Sequence, residues 1–112
     1  MAAGRHNIII EQGADFGLEF TIKEDGVGKN LTGYSPRAQL RPKKESTTLS
    51  ATFGCTMVDA ANGVVKMALA NATTSGIAPG KYFYDFELYT PSDTVVTRVL
   101  EGEALVTAEV TR

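Results

Sequence analysis

The chain has 112 residues, 43% of them hydrophobic, with 11 Lys plus Arg against 13 Asp plus Glu for a net charge of −2. That is enough apolar material for one core, and it lacks the concentrated positive field that phosphate binding needs. Its longest aliphatic run, Ile8-Ile9-Ile10, falls far short of the roughly 20 residues that span a bilayer. A single Cys and a single His exclude an internal disulfide and a zinc site built from the protein alone.

Arg5 and His6 near the start are followed by no apolar signal stretch, so secretion through one is not expected. From there apolar residues recur with a period of two, punctuated by Gly and Pro clusters, which is the pattern of an all-β domain. Strands are expected over Asn7–Glu11 and Asp15–Lys23, the second with Phe16, Leu18, Phe20 and Ile22 on one face. Lys23–Asn30 reads as a solvated loop, and Ser35–Arg41 as a strand stopped by Pro42. Leu49, Ala51, Phe53 and Cys55 are in phase within a weaker strand, Leu49–Val58. Asn62-Gly63 then predicts a hairpin turn, since both residues tolerate positive φ, with Val64–Leu69 as the returning strand. Asn71–Gly76 is the only stretch suited to a helical turn, with Asn71 as its cap.

Gly80–Thr90 is the strongest strand: Tyr82, Tyr84, Phe86 and Leu88 fall on one face, and Phe83, Asp85, Glu87 and Tyr89 on the other. Pro91-Ser92-Asp93 turns the chain into Thr94–Leu100, and Glu101-Gly102 predicts a bulge before Glu103–Thr107. Ile77 and Gly80, five and two residues before Tyr82, have the spacing of a tyrosine corner; the alternative is an ordinary aromatic position after a Pro-Gly turn. The corner favours an immunoglobulin-like Greek-key β-sandwich of about seven antiparallel strands. It would form one domain over residues 1–112, with mobile arms at 1–6 and 108–112.

Little in the chain suits chemistry. Cys55 is in phase with core positions and His6 lies in the terminal segment, so a Cys–His nucleophile is not expected. Gly26-Val27-Gly28 opens no helix that would bind phosphate, and Asp15, Asp25, Asp59 and Asp93 are too scattered for a calcium loop. Asn30-Leu31-Thr32 and Asn71-Ala72-Thr73 match the glycosylation pattern, which is common by chance. Asp85 and Glu87 lie on one strand face, roughly 6–7 Å apart, a spacing open to acid–base work on a sugar or to ion pairing. Ion pairing is favoured because Arg37, Arg41 and Arg98 stand on what would be neighbouring strands. Phe83 and Tyr89 bracket the acids, with Val96 and Leu100 in the phase of Arg98, so this outer face is the expected interface.

Several segments, taken in order, carry a resemblance. They are Phe16–Ile22, Asn30-Leu31-Thr32-Gly33-Tyr34, Arg37-Ala38-Gln39-Leu40-Arg41, Gly80–Leu88, Val96–Gly102 and the closing Val110-Thr111-Arg112. Together they resemble small tail or baseplate proteins of tailed bacteriophages and the N-terminal module of the phage baseplate upper protein. The resemblance implies a non-enzymatic virion protein, an assembly or adaptor module without cofactor. Its partners would be other tail or baseplate proteins and further copies of itself, not nucleic acid or membrane. A carbohydrate-binding module for host-surface recognition and a capsid decoration protein are the alternatives. Residues 37, 41, 83, 85, 87, 89 and 98 are the interface candidates.

Overall fold

The computed structural model describes residues 3–111, so residues 1, 2 and 112 of the expected arms lie outside it. Eleven strands occur among the described residues: β1 (Gly4–Arg5), β2 (Ile8–Glu11), β3 (Phe16–Thr21), β4 (Lys23–Glu24), β5 (Val27–Gly28), β6 (Ser35–Arg41), β7 (Ala51–Thr52), β8 (Gly54–Asp59), β9 (Val64–Leu69), β10 (Gly80–Tyr89) and β11 (Val96–Thr107). The larger sheet runs β1-β11-β10-β6-β7, with β2 also on β11; the smaller runs β3-β9-β8, and β4 pairs with β5 as a separate ribbon. The chain is therefore all-β in character.

Alternation decides what each strand buries. β10 turns Tyr84, Phe86 and Leu88 inward, β6 contributes Ala38 and Leu40, and β9 contributes Val65, Met67 and Leu69 from the opposite sheet. Phe20 of β3 meets Phe86 of β10 edge-on, with ring centroids 5.0 Å apart. Phe53 joins the sheets in the same way, meeting Phe16 at 6.0 Å and Tyr84 at 6.3 Å. The core is the layer between two facing sheets.

Several expectations need correction. The sheets are not wholly antiparallel, because β1 and β2 both run parallel to β11. Both keep the same offset to it, Gly4 opposite Leu100 and Ile8 opposite Ala104, and β1 falls within the segment 1–6 read as an arm. About seven strands were expected, but Leu49–Val58 is divided between the two sheets. Ala51–Thr52 pairs with β6 and Gly54–Asp59 with β9, and the buried Phe53 marks the crossing.

The two candidate turns exchange roles. Asp25 and Gly26 both have positive φ, 54° and 79°, and close the β4–β5 hairpin where only a solvated loop was read. At the other turn Gly63 alone is left-handed, after a 3-10 turn over Ala60–Asn62. Gly63 is fixed there by crowding as well, since a Cβ would sit 2.5 Å from the Ile22 carbonyl oxygen.

The single helical turn, α1 (Asn71–Thr74), is capped from a distance. Asn71 donates its backbone N–H to the Asp15 carboxylate at 2.7 Å, so Asp15 supplies the acceptor expected of Asn71. The buried Thr74 pins the same corner, accepting from Gly13 N and donating to the Ala14 carbonyl. The connection then crosses from β9 in one sheet to β10 in the other. Tyr82 donates its hydroxyl to the Ala78 carbonyl at 2.7 Å, the hydrogen bond that a tyrosine corner requires.

Candidate interaction face

β10 lies between β6 and β11, so its outward side chains have a neighbour on each side. Register sets Phe83 opposite Arg41, Asp85 opposite Gln39, and Glu87 opposite Arg37 on one side and Arg98 on the other. The geometry brings Arg37, Asp85, Glu87 and Arg98 together as an ion-paired ladder, with Phe83 and Tyr89 at its two ends. Arg37 Nε donates to Glu87 Oε1 at 2.9 Å, and its Nη1 donates to Asp93 Oδ1 at 3.3 Å. Arg98 bridges Asp85 at 3.3 Å and Glu101 at 3.5 Å. These pairs are partly exposed, so each contributes on the order of 0.2–1 kcal/mol.

Arg41 is the exception. Its guanidinium donates to the Ser46 carbonyl at 3.3 Å and to Gln39 Oε1 at 2.9 Å, and it makes no ion pair among the described residues. It remains close enough to Asp85 to favour that carboxylate's charged form. The Asp85 pKa is nonetheless raised above the usual carboxylate value. Burial is the main cause, reinforced by Glu87 and opposed by Arg98.

Both aromatics are engaged by cations. The Arg37 guanidinium lies over Tyr89, 4.5 Å from the ring centroid, while Lys44 and Lys81 flank Phe83 at 6.0 and 5.8 Å. Lys81 also pairs with Glu103 at 2.9 Å. A depression of about 230 Å³ opens among Arg41, Lys44, Phe83, Asp85, Arg98 and Glu101. Its three acids, Asp85, Glu87 and Glu101, are committed to arginine, so the face offers mixed charge framed by rings.

The apolar extension of the face is only half as expected. Val96 is outward and 44% exposed. Leu100 turns inward opposite Phe86, because the register slips by one residue between Phe86–Leu100 and Glu87–Arg98, leaving Val99 as the extra residue. The bulge thus precedes Glu101-Gly102, where it was expected. Gly102 serves another purpose: a Cβ there would lie 2.1 Å from the His6 carbonyl oxygen, so only glycine lets the N-terminal strand approach.

Lys44, Lys81, Gln39, Asp93 and Glu103 belong to this face and escaped the sequence reading. Lys81 and Glu103 become partners only through the strand register, and Lys44 and Asp93 reach in from connecting segments. Cys55 lies on β8 of the smaller sheet and His6 between β1 and β2 at the edge of the larger, and burial pushes the Cys55 thiol up to about 11. Among the described residues no group of three or more His, Cys, Asp or Glu is placed to hold a metal ion. No helix among them is long and apolar enough to cross a membrane.

No protein-family model matches the chain, and no curated protein matches it. Among solved structures it is similar to the N-terminal domain of phage TP901-1 ORF48, with a TM-score of 0.60 and 15% identity, over 90% of this chain and 84% of that one. The likeness is one of fold, to a domain of a phage protein.

Proposed function

We propose that the protein is a non-enzymatic structural component of a tailed-phage virion, acting in the tail or baseplate as an assembly or adaptor module. The likeness in fold to a phage domain over nine-tenths of the chain carries the reading. The immunoglobulin-like Greek-key class belongs to the same proposal, supported by the Tyr82 corner at a crossing between sheets. The docking surface is the outer face of β6, β10 and β11. Its arginines and acids fix the register of a charged partner, and Phe83 and Tyr89 supply contact area at low entropic cost. Asp85 and Glu87 hold that surface in place and carry out no reaction.

Co-purification with the tail and baseplate proteins of the same phage tests this. A stable complex is expected, lost on Arg98→Glu while the melting temperature stays close to that of the parent. Binding that survives Arg98→Glu and Phe83→Ala together removes the outer face from the interface. If no virion protein binds and a glycan does, a host-recognition module replaces the structural one. A hydrolytic activity abolished by Asp85→Asn would make the protein an enzyme.

A further inference from the structure

The larger sheet ends, beyond β11, at the segment Gly4–Glu11. His6 and Gln12 donate their N–H groups to the carbonyls of Glu101 and Thr107 at 2.9 and 3.0 Å. Within β1 and β2 the backbone groups alternate, so Arg5, Ile9 and Glu11 turn theirs away from β11; between the two strands the ladder is interrupted, the His6 carbonyl accepting the Tyr84 hydroxyl and Asn7 Oδ1 accepting the Glu103 N–H. β2 pairs with no other strand among the described residues. Gly4–Glu11 contains no Pro or Lys to block a free edge, and its two charges, Arg5 and Glu11, are of opposite sign. Ile9, 62% exposed, and its register partner Leu105, 49% exposed, add an apolar pair on the outer face beside that edge.

The charges along the edge are self-complementary. Arg5 and Glu11 project to one side, three positions either way from Ile8. An identical strand laid antiparallel with Ile8 on the two-fold axis sets Arg5 against the second copy's Glu11 at both ends. In the same register Ile9 falls beside Asn7 of the second copy, and the outward-facing Arg5 and Glu11 of each copy meet outward-facing residues of the other. Arg5 has a side to offer: among the described residues its one ion pair, with Glu101, is long at 4.0 Å, and its side chain is mostly exposed. Glu11 has no ion pair among the described residues.

We propose that Gly4–Glu11 pairs antiparallel with the same segment of a second copy, forming a two-fold dimer in which the larger sheet continues from one protomer into the other. This surface is the sheet edge, not the ladder on the outer face, and the inference does not rest on the virion reading.

Sedimentation velocity on the full chain over a concentration series tests the proposal. The parent is expected to show a reversible monomer–dimer equilibrium; a monomer throughout overturns it. Glu11→Arg, which sets like charges opposite each other, is expected to weaken the dimer by roughly tenfold or more, and Arg5→Glu/Glu11→Arg to restore it. Failure of the double exchange to restore it overturns the register and the proposal with it. Ile9→Pro deletes only an N–H that faces away from β11, so a folded monomer is expected. Should that variant unfold, Ile9→Lys serves in its place, and a dimer indifferent to both changes refutes the edge.

Discussion

Gly102 shows how one missing atom positions a whole segment. The His6 carbonyl approaches so closely that a Cβ would lie 2.1 Å from its oxygen, and the same carbonyl accepts the Tyr84 hydroxyl. Gly102→Ala is therefore expected to push the N-terminal strand off β11 and to destabilise the fold by roughly 1–3 kcal/mol, read by denaturant unfolding. Gly54→Ala is the control, with ordinary contact at 3.8 Å and no positive φ, and only a small change is expected. Cys55 and Tyr84 make a second prediction at this scale. Burial raises the thiol to about 11 and the phenol to about 12, so the folded state keeps protons that the unfolded chain gives up from about pH 8.5 for the thiol and pH 10 for the phenol. With fewer protons bound in the unfolded state, stability falls as pH rises through that window, first through Cys55 and then through Tyr84. Unfolding free energies measured from pH 8 to 11 should decline, and Cys55→Ala should flatten the first part of the decline. A flat profile in the parent would contradict the burial argument.

Elements were legible where their signal was local and hidden where it was not. The alternation of β3, β6 and β10 is written in their residues, and so is the Tyr82 spacing, whose hydroxyl finds the Ala78 carbonyl. The bulge at Val99 was misplaced because glycine at 102 suggested one, whereas that glycine answers to the distant His6. Asn62-Gly63 and Asp25-Gly26 carry equivalent turn signals, yet only the second has both residues left-handed. At the first, a 3-10 turn over Ala60–Asn62 takes up the hairpin, and only Gly63 becomes left-handed. The parallel pairing of the N-terminal strand has no local signal at all. Of the candidate site, the outward set on β10 could be read from its period of two, while Lys44 and Asp93 depended on loop paths. The corner itself can be tested: Tyr82→Phe removes one hydrogen bond without changing the ring. A loss of about 0.5–1.5 kcal/mol is expected in thermal unfolding.

At the scale of the whole molecule, the chain passes repeatedly between the two sheets, which are held together by what lies between them. Phe86 is fully buried at the centre of that layer, with Phe20 from the opposite sheet packed edge-on against it. Removing the ring takes away area that both sheets share and leaves a cavity that rigid strands cannot close, so Phe86→Ala is expected to cost about 3–5 kcal/mol. A domain of this size has about 5–15 kcal/mol in total, so the alanine variant should sit near its unfolding threshold at physiological temperature. Phe86→Leu keeps most of the volume and the apolar surface but gives up the edge-on ring contact, and its cost should be well below that of alanine. The comparison separates two accounts of cohesion. If burial between the sheets dominates, the leucine variant melts close to the parent and the alanine variant far below it. If the ion-pair ladder on the outer face dominated instead, Arg37→Ala, which removes contacts to Glu87, Asp93 and Tyr89 at once, would lower the melting temperature as much as Phe86→Ala. Partly exposed pairs are screened by water and salt, so the arginine change is expected to be the milder of the two by a wide margin.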